Sequence, residues 1–324
     1  MRTPDIPGAL AILAMAATAA AQTPSPALLV LNKEGTLAIV DPAARKVVGR
    51  VGTGEGPHEV AVSTDGKLAF TSNYGGAAPG NSISVIDLAA QKELRRVDLG
   101  TLRRPHGLAF ADSRLYFTAE TNKLIARYDP AANQIDWLLG TGQNTTHMIM
   151  LNRDLSQIYT ANIGSNTITI IDRAGVGNWN ETQIAVGKGP EGFDLSPDGK
   201  QIWTAHSQDG HVSVIDLYTK QVVQTFGVQT RRSNRLKFTP DGRLVLISDL
   251  EGGEVVVLER ATKKVLKRMK LGKNPAGILI EPDSSRAYVA ITGDNNVAVI
   301  DLKRLELSGR IPTGTGPDGM AWVP

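Results

Sequence analysis

One short phrase, repeated along the chain, constrains the fold more than any other feature. It runs Gly-Pro, two variable residues, an alternating apolar run and Asp-Gly. Clear copies are Gly56-Pro57 with Asp65-Gly66, Gly189-Pro190 with Asp198-Gly199, Asn274-Pro275 with Asp283, and Gly316-Pro317. Weaker copies begin at Arg104-Pro105, Thr145-Thr146 and Arg232-Ser233. The anchors Pro57, Pro105, Thr146, Pro190, Ser233, Pro275 and Pro317 lie 48, 41, 44, 43, 42 and 42 residues apart. A period of that length suits four short strands per unit.

The fourth unit shows the parse. Phe193 to Ser196 alternates and predicts the innermost strand. Pro197-Asp198-Gly199-Lys200 is a tight turn, because Pro presets φ and Gly accepts a positive one. Gln201 to Ala205, His211 to Leu217 and Val222 to Phe226 complete four strands, the third rich in β-branched residues. The unit from Ile278 to Leu307 follows the same order, and no helical period of useful length appears. After Pro317 only one strand remains, while Ala27 to Leu31, Thr36 to Val40 and Lys46 to Val51 supply three. Six full units plus these fragments predict an all-β, seven-bladed propeller of four-stranded blades. Its last blade is closed by the C-terminal strand joined to the N-terminal three, which leaves the ring no open edge.

Composition narrows the chemistry. The chain has no cysteine, so disulfides, thiolate metal sites and covalently attached c-type haem are excluded. Its net charge of +3 is too small to read as a nucleic-acid footprint. Arg2, the apolar run from Ala9 to Ala21, and the small residues Ala19 and Ala21 read as a cleaved signal peptide over 1–21. One propeller domain over 22–324, monomeric and placed in the periplasm or secreted, is the expectation. No stretch is long enough for a transmembrane helix.

Tyr159-Thr160-Ala161-Asn162 precedes Asn166 to Asp172, and Phe70-Thr71-Ser72-Asn73 precedes Asn81 to Asp87. On these strand pairs the chain resembles the bacterial YVTN-repeat, YncE-like propellers over its whole mature length. The resemblance implies the fold. It leaves function open, since related propellers include lactonases, lyases, cofactor-binding modules and reported DNA binders.

Inner strands line a propeller's channel, so the position after each anchor is the one to read for a ligand. It holds His58, His106, His147, Glu191, Asn234, Ala276 and Asp318. Chance would place about 0.1 of the five histidines there, although duplicated units also inherit residues. Polar residues end the second strands: Asn32, Asn73, Glu120, Asn162, His206, Asp249 and Thr292. If both sets face one mouth, His58, His106, His147, His206, Glu120 and Glu191 form a candidate site for a divalent or transition metal ion. Arg235 stands where other units have glycine, and is a candidate clamp for an anionic ligand. The leading expectation is a small-molecule or metal-binding mouth, with His58, His106, His147, Glu191, Asn234, Arg235, Asp318, Asn73 and Asn162 around the ligand. A metal-assisted hydrolase, lyase or oxidoreductase at that mouth is the first rival. A platform for a protein or nucleic-acid partner is the second.

Overall fold

In a computed structural model, residues 23–324 are described; the expected signal peptide lies outside them. Twenty-eight strands form seven antiparallel sheets of four. Blades 1 to 6 span residues 57–98, 105–140, 146–185, 190–227, 233–270 and 275–312. Blade 7 adds Pro317–Val323 to the three strands within 27–52. The closing strands pair Leu28 with Trp322 and Val30 with Met320. Three single turns of 3₁₀ helix are the only helical elements among the described residues. None of these is long or apolar enough to cross a membrane.

The strand patterns explain the ring. Outer strands such as Lys92–Asp98 alternate exposed and half-buried residues, because one face meets water. Middle strands such as Val255 to Leu258 are buried on both faces. Seven hydrophobic clusters result, one at each interface between neighbouring blades. Aromatic pairs reinforce them, with Trp137 beside Trp179 across blades 2 and 3, and Trp203 against Phe238 across blades 4 and 5.

The repeated phrase has a backbone cause. Gly56, Gly189 and Gly316 hold φ of +53°, +70° and +69° immediately before the anchor, where a side chain is disfavoured. The next residue sits in a β-bulge. Register shifts interrupt the pairing between Pro57 and Val60, Pro105 and Leu108, Thr146 and Met148, Pro190 and Gly192, Ser233 and Leu236, and Pro275 and Ile278. A bulge re-aims the side chain it carries. Here it turns the residue after each anchor out of the sheet toward the mouth.

Candidate functional site

All seven post-anchor residues, His58, His106, His147, Glu191, Asn234, Ala276 and Asp318, line one cavity of about 360 Å³. Lys33 and Arg232 contribute cationic groups to its wall. The floor is made one residue further along each inner strand, by Glu59, Gly107, Met148, Gly192, Arg235, Gly277 and Gly319. Arg235 of blade 5 reaches across to an ion pair with Glu59 of blade 1, both side chains being nearly buried. The glycines let neighbouring inner strands approach closely. A Cβ on Gly107 would stand 2.7 Å from the His147 carbonyl oxygen, and one on Gly192 would stand 2.6 Å from the Arg235 Cα. Below the pair lies a second cavity of about 470 Å³, lined both by apolar residues such as Leu108, Phe193 and Met320 and by Arg153 and Lys237. Arg235 is the one residue that lines both cavities. Burial opposes its charge, but Glu59, Asp318 and Glu191 outweigh that and hold its pKa above the usual guanidinium value.

The imidazoles gather on blades 1 to 3. The His106 and His147 rings lie 3.7 Å apart, tilted by 30°. His58 Nδ1 is 3.1 Å from His106 Nε2, so one of these nitrogens donates to the other. His58 also stacks on Tyr74 at 4.5 Å, with the Arg104 guanidinium 4.7 Å from the centre of the same phenol ring. His147 Nδ1 donates to Glu120 Oε1 in a very close contact, and the Tyr74 hydroxyl donates to Glu120 Oε2 at 2.6 Å. Two ring nitrogens are left over. His106 Nδ1 and His147 Nε2 are buried and have no hydrogen-bond partner.

Burial sets the protonation of this arc. It pushes the His58 pKa down to about 4, against the opposing pull of Asp318. It drives His106 well below the ordinary imidazole value, with His147 and His58 adding to the effect. Both rings are therefore neutral near pH 7, which is the form that ligates metals. Burial also lifts the Tyr74 hydroxyl to about 12, helped by its bond to Glu120, so it remains a donor. Asp318 behaves oppositely. Burial works to raise its pKa, but Lys33 at 3.1 Å, His58 and Arg235 outweigh burial and keep it low. One potential ligating atom each from His106, Glu120 and His147 falls within 4.8 Å of the others, close enough for the three to be a candidate metal group.

A family model described as "YNCE-like beta-propeller" matches residues 3–177 and 153–321. The chain belongs to the YNCE-like β-propeller family. No curated protein matches it in sequence. Among solved structures, the Kuenenia stuttgartiensis hydrazine synthase is similar at TM-score 0.70 and 23% identity, covering 82% of this chain and 88% of that one. A putative 6-phosphogluconolactonase from Bacteroides uniformis aligns at TM-score 0.75 and 14% identity, over 92% and 99%. The dihydro-heme d1 dehydrogenase NirN aligns at TM-score 0.66 and 14% identity, over 91% and 74%. At these identities the likeness establishes a shared fold and no more.

Within this YNCE-like ring, the two polar sets read from the sequence part company. The post-anchor residues line the mouth together. Most of the second-strand ends do not. Asn73 accepts a hydrogen bond from the Gly54 amide and donates to Ser82 and Ser84. Asn162 donates to Thr167 and Thr169. His206 is fully buried, pairs with Asp209 at 3.0 Å and does not line the mouth cavity. These side chains pin the loops of their own blades. Two differ: Thr292 lines the mouth cavity, and Glu120 opens the 3₁₀ turn Glu120–Asn122 and spends its carboxylate on Tyr74 and His147. Glu191 sits across the mouth from the imidazoles and accepts a 2.5 Å bond from Asn234. Arg235 lies in the mouth as expected, but Glu59 occupies its guanidinium. Sequence reasoning missed Glu59, Tyr74 and Lys33. Glu59 had a readable signal, since it and Arg235 are the two charged residues in an otherwise glycine-rich slot.

Proposed function

We propose that the chain is an exported, monomeric propeller whose mouth holds a single transition-metal ion in the group of His106, His147 and Glu120, where the ion takes up a small anionic molecule. The observation that carries this reading is the pair of buried ring nitrogens without partners. An unpaired buried polar atom costs about 1–3 kcal/mol, and two on neighbouring rings call for a ligand. Imidazole nitrogens beside a carboxylate are donors for Zn, Fe, Mn or Cu. An ion with few protein ligands keeps open positions and acts there as a Lewis acid or activates bound water. Lys33 and Arg232 on the cavity wall favour an anion as the incoming molecule.

Metal analysis of the purified mature protein tests the proposal. It expects stoichiometric metal in the wild type and none in the His106→Ala, His147→Ala double variant. A wild type that stays metal-free after dialysis against Zn, Fe, Mn and Cu salts would rule it out. The N-terminal sequence of the secreted form tests the export reading, which expects a start near Gln22.

A further inference from the structure

The metal reading leaves open which atoms touch the ion, and the hydrogen bonds of the arc divide its residues into two classes. Each of the two central imidazoles has one nitrogen tied and one free. On His147, Nδ1 donates to Glu120, and Nε2 is the atom without a partner. On His106, Nε2 is tied to His58, and Nδ1 is the atom without a partner. Both Glu120 oxygens are already engaged, Oε1 by His147 and Oε2 by Tyr74, which leaves each with a single further lone pair. A histidine bound to a metal typically hands its other ring N–H to a carboxylate or another acceptor, which fixes the ring and raises its basicity. His147 meets that pattern before any ion is added, and His106 meets it in the tautomer whose Nε2 donates to His58 Nδ1.

We propose that His106 Nδ1 and His147 Nε2 are the protein ligands, and that Glu120, held by Tyr74, and His58 are positioning residues that do not touch the ion. This rests on the metal reading above and sharpens it. Two neutral ligands cancel none of the ion's charge, whereas a bound carboxylate would cancel one unit. The remaining positions therefore favour small anions as ligands. Asp318 does not compete for them, since Lys33 already holds it at 3.1 Å.

The test compares variants loaded with Cu(II) and Zn(II). His106→Ala and His147→Ala should each abolish stoichiometric binding. Glu120→Gln, which can still accept from His147 through its amide oxygen, should retain one ion with affinity lowered about 10–100-fold. Tyr74→Phe should weaken binding less and leave stoichiometry intact. Pulsed EPR of the Cu(II) protein should count two imidazoles in wild type and in His58→Ala alike. Azide added to the Co(II) protein should shift its visible bands.

Failure of Glu120→Gln to bind, matching His147→Ala while its thermal melt stays that of the wild type, would make Glu120 a ligand and overturn the inference. So would a third imidazole that disappears in His58→Ala, or visible bands indifferent to azide. In each of those cases the metal reading survives. A wild type that binds no metal at all overturns both.

Discussion

Blades 1 to 3 and blades 4 to 6 present the same bulged backbone to the mouth and put opposite chemistry on it. The first three carry His58, His106 and His147; the next three carry Glu191, Asn234 and Ala276. On the second side the polar atoms satisfy one another. Asn234 donates to Glu191 at 2.5 Å, and Arg235 donates to the Asn234 side chain at 3.3 Å. On the first side two ring nitrogens are left without partners. The residue types alone do not separate the two arcs, since both are polar. Leftover hydrogen-bonding capacity among the residues lining the mouth does, and it marks the imidazole arc as the place where something binds, although His206 Nε2, off the mouth, is also without a partner.

Four measurements can break or sharpen that contrast. The largest effect is expected at the floor shared by both arcs. Arg235→Ala strands a buried Glu59 and should lower unfolding free energy by about 3–5 kcal/mol, read from urea midpoints. An Arg235→Met, Glu59→Leu double variant should recover most of that loss, and if it does not, the pair has a role beyond its own charge balance. Next comes pH. His58 titrates near 4 folded and near 6.5 unfolded, so the unfolded chain gains its proton first as pH falls. Its contribution is complete above about pH 6.5 and is lost on the way down to about 4, for a total of about 1–3 kcal/mol. His106 moves stability in the same direction. Thermal melts across that window should steepen in the wild type and flatten in His58→Asn; parallel curves would refute the assignment. Gly192→Ala should cost about 1–2 kcal/mol through its clash with the Arg235 backbone, and the same change at Gly107 should behave alike. The smallest effect belongs to the satisfied arc. Glu191→Gln keeps an acceptor for Asn234 and should change stability by under about 0.5 kcal/mol, with metal affinity unmoved. A tenfold loss of affinity there would erase the distinction between the arcs.

The propeller was legible because its signals are local and recur. A left-handed residue, an anchor and a bulge lie within a few positions of each other, and the bulge delivers the next side chain to the mouth in every blade. The post-anchor ring therefore followed from the period alone. The second ring was harder to read. Asn73, Asn162 and His206 end their strands just as Glu120 does, but three of them find partners in their own blades, and those bonds take the side chains off the axis. Partners distant in sequence were also out of reach. Glu59 and Arg235 stand 176 residues apart, and Tyr74 meets Glu120 across a blade boundary. No periodicity encodes which residue in one unit completes the hydrogen bonds of another.

The Arg235–Glu59 bar has a kinetic consequence. A propeller channel is commonly drawn as a tunnel, but a barred one is a cul-de-sac. A molecule approaching the imidazoles from the mouth passes Lys33 and Arg232 on its wall. Arrival then depends on that wall as much as on the site. Charge changes at those two residues should alter the rate at which an anion enters more than the rate at which it leaves.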